Sequence, residues 1–115
     1  MNTTIYKIVP RDVWLKAEQA GVFEGSAVDL ADGYIHFSTR AQVAETAAKH
    51  FAGQADLLLV AVDAQALGDR LRFEPSRGGD LFPHLYGKLD LAAVRGVEPL
   101  TLNSAGNHQF PLLED

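Results

Sequence analysis

Hydrophobic side chains recur along this chain with a period that changes from segment to segment, and the changes predict the elements. Residues 3–9 carry Ile5, Tyr6, Ile8 and Val9, a β-branched and aromatic stretch that reads as a first strand. It stops at Pro10, which has no N–H to give a neighbouring strand. Pro10 suits the opening of a helix, Val13, Trp14, Ala17 and Ala20 then recur at helical spacing, and Gly21 supplies a left-handed stop, so a helix is predicted over 11–20. Residues 25–33 are punctuated by turn formers and deliver the chain into a short second strand over 34–38. Thr39 with Gln42 three residues later has the spacing of a capping box. Val43, Ala47 and Phe51 then line one helical face, widened by Ala44 and Ala48, until Gly53 ends the second helix.

Residues 56–63 are apolar at every interior position, which predicts a central strand buried on both faces. Residues 70–74 alternate strictly, so Leu71 and Phe73 are expected to point inward and Arg70, Arg72 and Glu74 outward. Residues 75–80 read as a loop, 81–87 as an aromatic and histidine cluster, and 92–102, with Gly96 and Pro99 inside it, as a bent last strand. Residues 103–115 read as a mobile C-terminal tail. The order of elements predicts an α+β fold, a single domain over residues 1–115 in which two helices cover a largely antiparallel sheet.

Composition narrows the function classes. A chain of 115 residues, 47% hydrophobic and 22% charged, has room for one core and little tendency to disorder. Ten basic against fifteen acidic side chains give a net charge of −5, which disfavours bulk nucleic acid as a partner. With no cysteine there is no disulfide, thiol nucleophile or cysteine-ligated metal. The opening residues lack the apolar stretch of a secretory signal, and the apolar run at 57–62 is far short of a membrane span, so a cytoplasmic protein is expected.

Candidate chemistry gathers in a few segments. Strand alternation places His36 and Ser38 on one face, opposite Ile35 and Phe37, where an imidazole and a hydroxyl suit a ribose or a phosphate. The plainer alternative has His36 bonded to a backbone carbonyl and Thr39 serving only as a helix cap. Glu74 suits the orienting of a hydroxyl or the stabilising of a developing cation, or else it is a surface acid paired with Arg70 or Arg72. Ser76-Arg77-Gly78-Gly79 would let backbone N–H groups and a guanidinium approach a phosphate, although it lacks the spacing of a P-loop or a dinucleotide fingerprint and equally fits a plain hairpin turn. His84 and Tyr86 share a face beside Pro83, with their rings available either to a stacked base or to the core. His36, His50, His84 and His108 show no metal-ligand spacing, so no metal is expected, and no serine sits in a nucleophile elbow.

The order of these segments carries a resemblance. Asp32-Gly33-Tyr34-Ile35-His36-Phe37-Ser38-Thr39 followed by Glu74-Pro75-Ser76-x-Gly78-Gly79 and Phe82-Pro83-His84-Leu85-Tyr86-Gly87 closely resembles the bacterial Domain of Unknown Function 952 family, over residues 4 to about 99. That family is distantly similar to the ADP-ribosyltransferase superfamily, including RNA 2′-phosphotransferases. The resemblance implies a split sheet whose halves clasp NAD or a related nucleotide, with NAD as substrate rather than resident cofactor. It implies His36 and Ser38 near the ribose or phosphates, and Glu74, Arg77, His84 and Tyr86 on the opposite wall. Glu74 and His36 would then serve catalysis, with Ser38, Thr39, Ser76, Arg77, His84 and Tyr86 binding the ligand. The activity implied is transfer or hydrolysis of ADP-ribose, to a protein or small-molecule acceptor. The alternative is a non-enzymatic module binding a small ligand or a protein on the same fold. Tyr6-Lys7 stands where the superfamily usually places a histidine, and the arginine-rich pattern of the 2′-phosphotransferases is absent.

Overall fold

The apolar run of the sequence forms the axis of the molecule. In the computed structural model, which describes residues 3–114, β1 (Thr4–Pro10) pairs antiparallel with β5 (Leu57–Asp63) along its whole length, from Thr4 opposite Asp63 to Pro10 opposite Leu57. The other edge of β5 pairs with β9 (Val94–Leu102), which leaves β5 in the middle of a five-stranded sheet. Alternation then divides its side chains between two cores. Leu58, Val60 and Val62 join Ile5 and Val9 under α1 (Arg11–Ala20), while Leu57 and Leu59 join Tyr6 and Ile8 under α3 (Val43–His50). Burial on both faces is what the unbroken apolar pattern predicts, and it is observed.

α1 follows its predicted bounds. Pro10 precedes it with φ −59°, Gly21 ends it with φ 79°, and the Gly21 N–H closes on the carbonyl of Ala17. A further helix, α2 (Ala27–Asp32), occupies the stretch read as turns, so the described residues hold three α-helices rather than two. Its start is encoded by Ser26 and Asp29, whose carboxylate accepts the Ser26 N–H at 2.8 Å. α3 begins at Val43, four residues beyond Thr39. The Gln42 side chain does accept the Thr39 N–H at 3.1 Å, but Thr39 itself lies in a strand, so the reading of Thr39 as the helix cap is corrected.

The second predicted strand is divided between two sheets. Its first half, β3 (Ile35–His36), pairs with β7 (Leu81–Leu85), and its second half, β4 (Ser38–Thr39), pairs with β1. The Phe37 N–H, bonded to the Pro83 carbonyl at 2.9 Å, marks the crossing. β7 also pairs with β6 (Leu71–Pro75), giving a three-stranded sheet in the order β3-β7-β6, and β2 (Val22–Phe23) pairs with β8 (Leu89–Asp90). Every pairing among the described residues is antiparallel. Phe73 departs from expectation: it is 45% exposed on β6, an outer strand of its sheet, whereas Leu71 packs on the core.

The expected tail is a folded strap. β9 is followed by β10 (His108–Gln109), which pairs back on it, and Phe110 and Leu113 pack against the core beneath α3. The buried Tyr6 hydroxyl donates to the Glu114 carbonyl at 2.9 Å and accepts its N–H at 2.7 Å. Replacing Tyr6 by Phe keeps the ring and removes both bonds. We expect Tyr6→Phe to lower unfolding free energy by about 1–2 kcal/mol in urea titration, with faster hydrogen exchange confined to the Glu114 amide and its neighbours.

Candidate functional site

The site grows from a charge in an apolar strand. Lys7 shares the inward parity of Ile5 and Val9 on β1 and is 6% exposed, so its ammonium ion cannot be left to water. Asp29, on α2 and 1% exposed, meets it with both carboxylate oxygens, at 3.0 and 2.9 Å. The same carboxylate accepts the Ser26 N–H and hydroxyl at 2.8 and 3.0 Å, the His36 N–H at 3.1 Å and the His36 Nδ1 at 2.6 Å. Burial pushes the Lys7 ammonium below its ordinary value, against the opposing pull of Asp29. Burial alone would raise the Asp29 carboxyl; the His36 hydrogen bond, the Lys7 charge and the Ser26 N–H outweigh it and hold the carboxyl well below the usual range.

Asp29 fixes His36, and His36 faces a second histidine. The β3–β7 register sets His36 directly opposite His84, with ring centroids 5.5 Å apart. His36 Nε2 lies 2.9 Å from Asp32, so both of its nitrogens meet carboxylates. His84 is buried and its Nδ1 is 2.9 Å from Glu74 Oε1, the oxygen that also accepts the Tyr86 hydroxyl at 2.7 Å. The Tyr86 hydrogen bond, then that of His84, draws the Glu74 carboxyl below its ordinary value, and the same bond to Glu74 raises the Tyr86 phenol. Tyr34 completes the arrangement. Its ring centroid lies 4.2 Å from that of His84, 4.7 Å from His36 and 5.2 Å from Tyr86.

The rings of Tyr34, His36 and His84 border a cleft of about 530 Å³ between the three-stranded sheet, β1 and α3. Its walls are apolar at Ile8, Phe51 and Phe82 and polar at Lys7, Asp32, Ser38, Thr46, Ser76 and three histidines, His36, His50 and His84. Of the residues singled out from sequence, His36, Ser38, Ser76 and His84 line this one cleft. Ser38 is buried and its hydroxyl is bonded to that of Thr46 at 2.9 Å. Glu74 and Tyr86 stand behind His84 rather than in the cleft, and Arg72 lies over the Tyr86 ring at 5.4 Å. Glu74 is thus bonded to a histidine and a tyrosine and not to the arginines considered for it. Thr39 is turned to its strand pairing with Ile5. The Arg77 backbone runs through the short turn Arg77–Gly79; its side chain lies outside what is described.

Three residues of the cleft and its network escaped the sequence reading, Asp29, Asp32 and Tyr34, as did the pairing of Lys7 with Asp29. Asp29 was signalled by its capping-box spacing from Ser26, and Tyr34 by sharing strand parity with His36. Nothing local marked Asp32 as a partner of His36. Among the described residues, no group of three histidine, aspartate or glutamate side chains has the geometry to hold a metal.

The comparisons with known proteins follow the same outline. A family model described as a protein of unknown function (DUF952) matches residues 8–97. The crystal structure of protein CC0527 from Caulobacter crescentus is 53% identical, with a TM-score of 0.89 over 93% of this chain and 94% of that one. The solution NMR structure of CC0527 is likewise 53% identical, with a TM-score of 0.84 over 92% and 91% of the two chains. No curated protein matches the chain.

Two outcomes follow from the buried network. Asp29→Ala leaves the Lys7 ammonium uncompensated and should cost about 3–5 kcal/mol in denaturant unfolding, whereas Lys7→Met combined with Asp29→Leu should cost less than Asp29→Ala alone. The carboxyl of Asp29 titrates lower in the folded than in the unfolded chain, so its stabilisation is complete above about pH 4 and is lost as pH falls through the depressed folded value. Melting temperatures measured from pH 5 down to pH 2 should therefore fall more steeply in the wild type than in Asp29→Asn.

Proposed function

The chain belongs to the DUF952 family, and on that footing we propose that its cleft binds NAD or a related nucleotide and that the protein transfers or hydrolyses ADP-ribose. The observation that carries this reading is the ring surface of Tyr34, His36 and His84 bordering a cleft of about 530 Å³. A planar heteroaromatic ring stacks on such a surface, and the polar groups at Ser38, Ser76 and His36 suit the ribose and phosphates that follow it. What supports the reading further is that the 35–39 segment joins the five-stranded and three-stranded sheets, since likeness to the ADP-ribosyltransferase superfamily implies a split sheet.

The chemistry assigns the histidines different tasks. In the proposed reaction the bond between ribose C1′ and the nicotinamide nitrogen breaks, and its electron pair leaves with neutral nicotinamide. An acceptor oxygen, from water or from a protein or small-molecule hydroxyl, bonds to C1′ and gives up its proton. His84 suits that proton: with Nδ1–H donated to Glu74, Nε2 is the accepting nitrogen. Glu74 then acts through His84 as a positioning residue. His36, with a carboxylate on each nitrogen, serves binding rather than proton abstraction.

One observation favours a second reading, a binding module without turnover. Glu74, the carboxylate considered for stabilising the cation that develops on the ribose, stands off the cleft behind His84. One experiment separates the readings. Thermal melts with NAD, ADP-ribose and nicotinamide should show several degrees of stabilisation by NAD and ADP-ribose, since a ligand at a hundredfold excess over Kd adds about 2.7 kcal/mol. The rise should shrink in Tyr34→Leu and His36→Ala. Nicotinamide release that disappears in His84→Gln supports the enzyme; stabilisation without release leaves the binding module. No stabilisation by NAD or ADP-ribose overturns the nucleotide reading.

A further inference from the structure

The two carboxylates on His36 are held very differently. Asp29 is buried and accepts hydrogen bonds from Lys7 and Ser26 as well as from His36, so it cannot leave the imidazole without stranding a buried charge. Asp32 is the last residue of α2, its side chain is 45% exposed, and it meets His36 Nε2 at 2.9 Å from the cleft wall. An exposed pair of this kind is weak, and one side-chain rotation returns the Asp32 carboxylate to water. The nitrogen it covers belongs to a ring that lines the cleft beside Tyr34 and His84.

We propose that Asp32 is a built-in stand-in for the anionic group of the ligand, seated on the His36 Nε2 edge that a ligand phosphate takes over on binding. This rests on the nucleotide reading of the cleft. The displaced carboxylate regains hydration, while the phosphate gains a charge-assisted bond from an imidazole whose other nitrogen stays locked on Asp29. The exchange also selects ligands. A free anion must compete with an internal carboxylate already in place, whereas a phosphate attached to a stacking ring arrives at high local concentration and wins that competition. Asp32 is therefore a specificity-determining residue, one that discriminates against small anions in favour of phosphates carried on an aromatic nucleoside.

The test uses the full chain and pyrophosphate as the probe, read from the His36 imidazole nitrogens by NMR. Pyrophosphate should shift the Nε2 resonance of His36 in the wild type, and Asp32→Asn should tighten that binding by about two- to five-fold. Asp12→Asn, an equal change of charge at an exposed α1 position, should leave it unchanged. The proposal is overturned if pyrophosphate leaves His36 Nε2 unmoved in both proteins, or if Asp32→Asn binds no more tightly than Asp12→Asn. ADP-ribose and adenosine distinguish this failure from that of the nucleotide reading. If ADP-ribose binds the wild type well and gains nothing in Asp32→Asn, the stand-in role falls and the nucleotide reading remains. If pyrophosphate behaves as expected while ADP-ribose binds no better than pyrophosphate and adenosine does not bind, the anion subsite remains and the nucleotide reading falls.

Discussion

A lysine on the core-facing side of a central strand needs an anion, and much of the wall of the cleft follows from meeting that need. Lys7 takes Asp29, Asp29 is delivered by α2, and α2 exists as a helix because the same Asp29 carboxylate closes its first turn on Ser26. The remaining capacity of that carboxylate goes to the backbone and ring of His36. A buried ion pair contributes little net stability once both ions are desolvated, but removing either partner is costly. The network therefore acts as a positional constraint: it joins β1, α2 and β3 at one point and leaves the His36 imidazole a single orientation.

The second constraint is the crossing at Phe37. Because β3 pairs with β7 and β4 pairs with β1, one five-residue extended segment stitches the smaller sheet to the larger one. His36 ends up opposite His84 on one side of the crossing, and Ser38 is tied to Thr46 of α3 on the other. The cleft lies where the two sheets part, and its polar groups belong to the very residues that join them. Similarity to CC0527 across nearly the whole of both chains shows that this architecture is shared with a relative of known structure.

Under the proposed function, the two histidine–carboxylate pairs have different tasks in the cleft. His84 has one nitrogen on Glu74, and the shared Oε1 ties Tyr86 and His84 into one rigid group with Tyr34 packed against both rings. His36 has both nitrogens on carboxylates of very different burial, one locked and one exchangeable. In the proposed reaction, proton transfer and anion binding fall to different rings, which a strand register sets opposite each other.

Local sequence determined the parts of this protein whose physics is local. The apolar period of 57–63 settled a two-faced central strand, Pro10 and Gly21 bounded α1, and the alternation around His36 settled that His36 and Ser38 would come to one region of the fold. The residues at 36, 38, 76 and 84 were picked out by type, and they do meet in one cleft. Tertiary structure decided the rest. Phe73 is exposed because sheet order made β6 an outer strand, and the C-terminal stretch is a strap because the Tyr6 hydroxyl and an apolar face were waiting for it. The choice of Asp29 for Lys7, of Glu74 for His84 rather than an arginine, and of His36 opposite His84 depends on strand register and burial. Those are properties of pairs of residues brought together by the whole fold, and no period along one segment encodes them.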